Sequence, residues 1–243
     1  MKYNKTTLCA VLLIVLAIVI IGYFCFLAFS TSYGYSVQHS KNSSPVANFY
    51  CENKLIIVID PGHGGVDPGA VTNNLVEKNI NLDVALKVRD FLSISGYNVI
   101  LTRSEDINLA SAKNGSYKRN DLDRRLDIVE ESDNCILVSI HMNKFESESA
   151  HGLQTFYSPN TPESLKLAEC IQGSSKLLEP NNKRAVKSAG DDIYILKNVY
   201  KPAVLVECGF LSNSGDASKL SNAEYQNMLA FCIYCGILNY LGD

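Results

Sequence analysis

The sequence predicts an α/β domain in which a mostly parallel central sheet is flanked by helices. Short apolar runs rich in β-branched residues, KLIIVID at 54–60 and NCILVSIH at 134–141, are typical of strands buried on both faces. Between such runs lie segments such as residues 77–95, where apolar residues recur at the spacing of an amphipathic helix. Strands that alternate with helices favour parallel pairing, and 243 residues are enough for one such domain with a full-sized core.

The remaining elements follow from local patterns of the same kind. Thr161 supplies a capping hydroxyl, Pro162 fits the first helical position, and Glu163 suits the positive end of the helix dipole. The polar residues 103–120 are expected to form a surface loop. The Cys232 and Cys235 pair falls in an apolar helical pattern and is interpreted as core packing. Strands are predicted at 54–60, 97–102, 134–141, 152–158, 192–196 and 203–207, and helices at 77–95, 121–131, from 161 onward and 222–240.

An uncharged, apolar segment at residues 8–29 precedes this domain. As a helix it would span about 33 Å at about 1.5 Å per residue, and a bilayer core is about 30 Å thick. Lys2 and Lys5 lie before it and the next basic residue is Lys41, so the N-terminus is expected in the cytoplasm and the rest outside. We favour an uncleaved signal-anchor over a cleaved signal peptide, whose apolar core is usually only about 7–15 residues long. Residues 1–29 are therefore expected to be the anchor or signal segment, 30–53 a linker, and 54–243 the exported domain.

The charge of the chain argues against nucleic acid as a partner. The formal net charge is −3, and the basic residues form only short patches such as Lys118-Arg119 and Arg124-Arg125. A domain that binds nucleic acid phosphates normally concentrates many Lys and Arg residues on one face.

Four residues at the edges of predicted elements indicate chemistry. His63 follows the first strand, His141 ends the third, Glu207 ends the last, and Glu77 begins the first helix. Singly, a histidine at a strand end or an acid at a helix start has an ordinary structural explanation. Because reactive residues gather beyond the carboxyl ends of parallel strands, the four are expected to converge. Two imidazoles and one carboxylate match the ligand set of catalytic zinc sites, and a second carboxylate can act as general base.

Other residues compete for these roles less well. His39 lies in the linker and His151 follows a polar loop, so neither ends a buried strand. Asp60 and Asp67 are further carboxylates, and Asp60 is expected to orient His63. Glycines around His63 are expected to let the backbone of a substrate approach closely.

Four segments, in order, resemble the signature blocks of the zinc-dependent N-acetylmuramoyl-L-alanine amidases. They are IDPGHGGVDPGA at 59–70, Glu77-Lys78, SIHMN at 139–143 and VECGFLSN at 206–213. The resemblance covers residues 55–241 and implies that His63, Glu77 and His141 bind Zn²⁺ and that Glu207 is the catalytic carboxylate. It also implies the substrate, the peptidoglycan amide between the lactyl group of muramic acid and L-alanine. Met142 departs from the pattern, since alanine is common there.

The resemblance extends to a biological setting. No cell-wall-binding repeat is recognisable, and a short single-domain form with a membrane segment is similar to the branch that trims spore cortex so that muramic lactam can form. The alternatives are an exported glycan-binding module without catalysis, which Glu207 argues against, and an amidase for another exported peptide. A protein activator or regulator is expected, because uncontrolled hydrolysis of the bacterial cell envelope would be dangerous.

Overall fold

The computed structural model describes residues 55–72, 75–110 and 117–242. The predicted anchor and the linker lie outside these residues, as does His39. Within the described ranges, no helix is both long and apolar enough to span a membrane.

A six-stranded sheet forms the centre of the domain, with strand order β4-β1-β5-β8-β6-β7. Strands β1, β4, β5 and β8 run parallel, whereas β6 pairs with β8 in the antiparallel direction and with β7 in parallel. The predicted mostly parallel sheet is therefore confirmed. The strands are β1 (Ile56–Pro61), β4 (Asn98–Leu101), β5 (Cys135–Asn143), β6 (Gln154–Tyr157), β7 (Lys187–Ser188) and β8 (Ala203–Phe210), and β2 (Val71–Thr72) with β3 (Leu75–Val76) forms a separate hairpin.

Helices cover both faces of this sheet. Ile57 and Ile59 of β1 belong to the core that α1, α3 and α6 pack against, whereas Val58 belongs to a second core with α2 and α4. This alternation explains the continuous apolar run of β1, because successive side chains of a strand point to opposite faces. The helices are α1 (Glu77–Ile94), α2 (Tyr117–Glu130), α3 (Pro162–Ser174), α4 (Tyr194–Asn198), α5 (Ser214–Leu220) and α6 (Ala223–Leu241).

Two local predictions need correction, and one helix was not predicted. Residues 192–196, predicted as a strand, form a turn and the start of α4, where the Lys197 N–H donates to the Ile193 carbonyl at 3.0 Å. A short apolar run suits a buried helical turn as well as a strand. The stretch 103–120 is not simply a surface loop, because Arg103 is 2% exposed and α2 already begins at Tyr117. Helix α5 was not predicted, and its N-terminus is capped by the Asn213 side chain.

Candidate metal centre

The four predicted site residues are brought to one edge of the sheet. His63 lies in the loop after β1, and Glu77 is the first residue of α1. His141 and Glu207 are direct partners in the register of β5 and β8. The two histidines and Glu207 line a cleft of about 210 Å³. The edge of the sheet therefore presents imidazoles and carboxylates to a common space, as the carboxyl ends of parallel strands commonly do.

His63, Glu77 and His141 form a compact cluster of ligand atoms. The Glu77 Oε1 atom lies 3.2 Å from His63 Nε2 and 3.0 Å from His141 Nδ1. One ligand atom from each residue lies within 4.8 Å of the others. Ligands about 2.0–2.1 Å from a tetrahedral zinc ion would lie about 3.3 Å apart. The three residues therefore fit a metal ion in both donor type and spacing.

Glu77 is held as a charged, oriented carboxylate. It is 4% exposed, and its Oε2 atom accepts the Ala70 N–H at 2.7 Å. Its Oε1 atom accepts the Met142 N–H at 3.2 Å. Burial by itself would raise the pKa of Glu77, but hydrogen bonds from His141 and His63 hold that pKa well below its usual range. The carboxylate thus keeps the negative charge that a metal ligand needs.

His63 is oriented by Asp67, and the prediction that Asp60 does so is wrong. The His63 Nδ1 atom donates to Asp67 Oδ2 at 2.9 Å, which turns Nε2 toward Glu77. A carboxylate on the second ring nitrogen is the usual support of a metal-binding histidine. His63 also has a φ of 61°, a left-handed conformation that is uncommon outside glycine.

Asp60 instead anchors the loop from inside the core. It accepts the Thr102 and Ser139 hydroxyls, each at 2.6 Å, and pairs with Arg125. Burial would raise the pKa of Asp60, but the Arg125 cation and the two hydroxyls lower it to about 2. Arg125 also donates to the His63 carbonyl at 2.7 Å, so Asp60 supports the histidine through an arginine.

Two buried arginines that hold this loop were missed in the sequence. Arg103 donates to the carbonyls of Pro61 at 2.9 Å and Gly62 at 3.0 Å, and Arg125 also reaches Pro61 at 2.8 Å. Arg125 is 1% exposed. The sequence did contain an indication that Arg125 is buried, because Arg125 lies four residues before Val129 and so on the same buried stripe of α2. The basic patch at 124–125 is therefore partly structural.

Two glycines make room for side chains of the His63, Glu77 and His141 cluster. A Cβ atom on Gly62 would lie 2.1 Å from His141 Nε2, and one on Gly69 would lie 2.4 Å from Glu77 Oε2. The glycines around His63 were predicted to admit a substrate backbone. At Gly62 and Gly69, the close approach is made by side chains of this cluster.

Glu207 differs from the three clustered residues in having a free oxygen. Its Oε2 atom is buried and has no hydrogen-bond partner among the described residues. Burial raises the pKa of Glu207 to about 7, and the nearby negative charge of Glu77 adds to the increase. A buried, unsatisfied carboxylate oxygen is costly, which is typical of a group retained for chemistry. His151, in contrast, is exposed and does not belong to the cluster.

A mostly parallel sheet that carries a His₂Glu cluster beside a free carboxylate has the set of donor groups that is typical of metallohydrolases. The chain belongs to the N-acetylmuramoyl-L-alanine amidase family, whose sequence model matches residues 57–239.

Relatives that carry an amidase name agree with this assignment. The chain is 41% identical over 192 residues to the germination-specific N-acetylmuramoyl-L-alanine amidase of Bacillus subtilis (strain 168), covering 77% of this chain and 80% of that protein. It is 36% identical over 203 residues to N-acetylmuramoyl-L-alanine amidase LytC of the same organism, of which the match spans only 38%.

Solved structures show the same fold. The CwlD amidase from Clostridioides difficile, in complex with the GerS lipoprotein, superposes with a TM-score of 0.74 at 42% identity over 78% of this chain and 99% of that one. The catalytic domain of CwlV from Bacillus (Paenibacillus) polymyxa var. colistinus superposes with a TM-score of 0.67 at 30% identity. The match covers 77% of this chain and 98% of that one. The chain is an N-acetylmuramoyl-L-alanine amidase, as the resemblance in the sequence implied.

Proposed function

We propose that this chain is a zinc-dependent hydrolase in which His63, Glu77 and His141 bind the metal and Glu207 is the general base. The substrate bond is the peptidoglycan amide between the lactyl group of N-acetylmuramic acid and L-alanine. The observation that carries the proposal is the buried, unpartnered Glu207 Oε2 in the cleft that the two histidines also line. A metal ligand set beside a free base is the arrangement that metal-assisted amide hydrolysis requires.

The residues of the chain divide the work of the reaction. When bound, zinc would polarise the scissile carbonyl and lower the pKa of the attacking water. Glu207 accepts a proton from that water while the water oxygen bonds to the carbonyl carbon. Glu207 then returns the proton to the alanine nitrogen as the carbon–nitrogen bond breaks. Asp67 keeps the proton of His63 on Nδ1, 2.9 Å away, and so leaves Nε2 available for the metal.

Two other functions compete with this proposal. A glycan-binding module without catalysis would have no use for a buried carboxylate oxygen without a partner, and the free Glu207 Oε2 favours the enzyme. An amidase for another exported peptide would retain the same machinery. The family match and the 41% identical relative favour the muramoyl-L-alanine bond.

The experiment is hydrolysis of purified peptidoglycan, followed by quantification of newly exposed N-terminal alanine. We expect release by the parent protein, loss of release after treatment with a chelator, and recovery with about one equivalent of Zn²⁺ per chain. Mg²⁺ serves as the control cation, because it prefers oxygen ligands and octahedral geometry. Activity that survives complete metal removal would contradict the zinc proposal, and release of other amines without alanine would contradict the proposed substrate.

We further propose that the substrate is spore cortex. The support is the 41% identity to a germination-specific amidase. The test is to express the chain in a Bacillus subtilis strain that lacks its own germination-specific amidase and to measure muramic lactam in the cortex. Restored muramic lactam is expected, and an unchanged cortex despite export of active protein would contradict a cortex role.

Location and partner are proposed on separate grounds. The lysine asymmetry around residues 8–29 predicts a membrane anchor with the domain outside the cytoplasm. We expect the full chain to fractionate with membranes and a chain that begins at residue 30 to be soluble.

A protein regulator is supported by the CwlD amidase, 42% identical, which was solved in complex with a lipoprotein. Isolation of the tagged chain from sporulating cells should therefore recover one stoichiometric partner, and isolation of the amidase alone would contradict this.

A further inference from the structure

The cleft beside the metal centre contains a lysine that is available for binding. Lys118 lies in the first turn of α2, is exposed, and lines the same cleft as His63 and Glu207. It makes no hydrogen bond or ion pair with any residue in the described ranges. Asp67, the residue that orients His63, lines the same cleft.

The other cationic side chain that lines this cleft, Arg125, is already hydrogen-bonded within the protein. Arg125 is buried and directs its N–H groups to Asp60, Asp121 and the carbonyls of Pro61 and His63. Asp192 also lines the cleft, but it forms no ion pair with Lys118. Of the described residues around the cleft, Lys118 is therefore the cation that an anionic ligand can reach.

Neighbouring side chains fix the backbone that presents Lys118. The Arg119 guanidinium lies 3.8 Å from the centre of the Tyr194 ring and pairs with Asp123 at 3.4 Å. The Tyr194 hydroxyl donates to Asp123 at 2.7 Å. These contacts join α2 to α4 directly beside Lys118. Arg119 is thus engaged with protein, and Lys118 is left facing the cleft on a fixed segment.

We propose that Lys118 binds the α-carboxylate of the second residue of the peptidoglycan stem peptide. This rests on the proposed function, which places the amide of L-alanine in the cleft. The second stem residue is a glutamate joined to the next residue through its side chain, so its α-carboxylate remains free. In an extended peptide that carboxylate lies about 7 Å or less from the scissile nitrogen. It is the nearest substrate anion to the reaction, and Lys118 is the available cation of the cleft.

The experiment compares two muropeptides that differ at one group, with this carboxylate either free or converted to an amide. The parent protein should hydrolyse the free acid with a kcat/KM about tenfold higher, as expected for a charged hydrogen bond. Lys118→Gln should lose about tenfold on the acid, mainly through KM, and stay within about twofold of the parent on the amide. Lys118→Arg should retain most of the preference. Lys183→Gln removes an exposed lysine that does not line the cleft and should behave like the parent.

Zinc content and melting temperature are measured on every variant. Equal losses on both substrates, or loss of zinc in Lys118→Gln, would overturn the proposal, because either result would mean that Lys118 acts through Asp67 and His63. Equal rates of the parent on the two substrates would overturn it while leaving the amidase function intact. A parent protein that cleaves neither substrate would overturn the proposed function, and this proposal with it.

Discussion

A methyl group added at Gly62 should disable the metal centre while leaving the fold intact. The added Cβ would lie 2.1 Å from Nε2 and 2.2 Å from Cε1 of His141, whereas ordinary contact begins at 3.4 Å. The imidazole must therefore move by more than about 1 Å, and a misplacement of that size at a reacting centre costs about 100-fold in rate. Gly62 does not have a positive φ, so alanine introduces no backbone strain there.

The expected result for Gly62→Ala is a parallel loss of zinc affinity and activity. We expect both to fall by about 100-fold or more, measured by competition with a chromophoric chelator and by alanine release. Gly173→Ala is the matched control, because its added Cβ would have no atom within 4 Å beyond its own chain neighbours and helix backbone, and the residue lies in the last turn of α3. Removing a helical glycine should stabilise the protein by about 0.5–1 kcal/mol. A Gly62→Ala protein with parental zinc affinity would refute the assignment of His141 as a ligand.

Three further predictions concern the supports of the centre. Asp67→Ala should weaken zinc binding by about 10–100-fold, because His63 loses its orienting carboxylate, and chelator competition that gives parental affinity would contradict this. Arg125→Met should lower the free energy of unfolding by about 3–5 kcal/mol in urea titration, since Asp60 and Asp121 lose their buried partner. The pKa of Asp60 is lowered from 3.8 to about 2, so its stabilising contribution is complete above pH 3.8 and is lost as the pH falls through about 2. The melting temperature of the parent should therefore drop over this range more steeply than that of Asp60→Asn, and equal slopes would contradict the role given to Asp60.

The sequence predicted the fold best where a local pattern is compatible with only one kind of element. The apolar run of β1 is buried on both faces because Ile57 and Val58 point into different cores. Parallel pairing then placed His141 and Glu207 in register at one edge of the sheet. The convergence of the site followed from the alternation of strands and helices.

The errors arose where tertiary contacts decide the outcome. Asp60 and Asp67 are both close to His63 in sequence, and only the turn that pairs Gly64 with Asp67 brings the second carboxylate to Nδ1. Arg125 has the charge of a surface residue, and Asp121 lies one turn away in the same helix. Its other partner, Asp60, comes from β1, 65 residues earlier in the sequence, and this pair makes the burial of Arg125 possible. Long-range ion pairs of this kind leave little trace in a single sequence.

Glu207 is proposed to move protons without binding the metal, and the Glu207→Gln variant separates these two roles. Glutamine keeps the size of the side chain and cannot accept the proton. Zinc content and melting temperature should stay close to the parent, while alanine release falls by about 10²–10⁴-fold. Glu77→Gln is the control, because it should lose metal and activity together. A Glu207→Gln protein that binds a full equivalent of zinc and cleaves at the parental rate would contradict the role of Glu207 as general base.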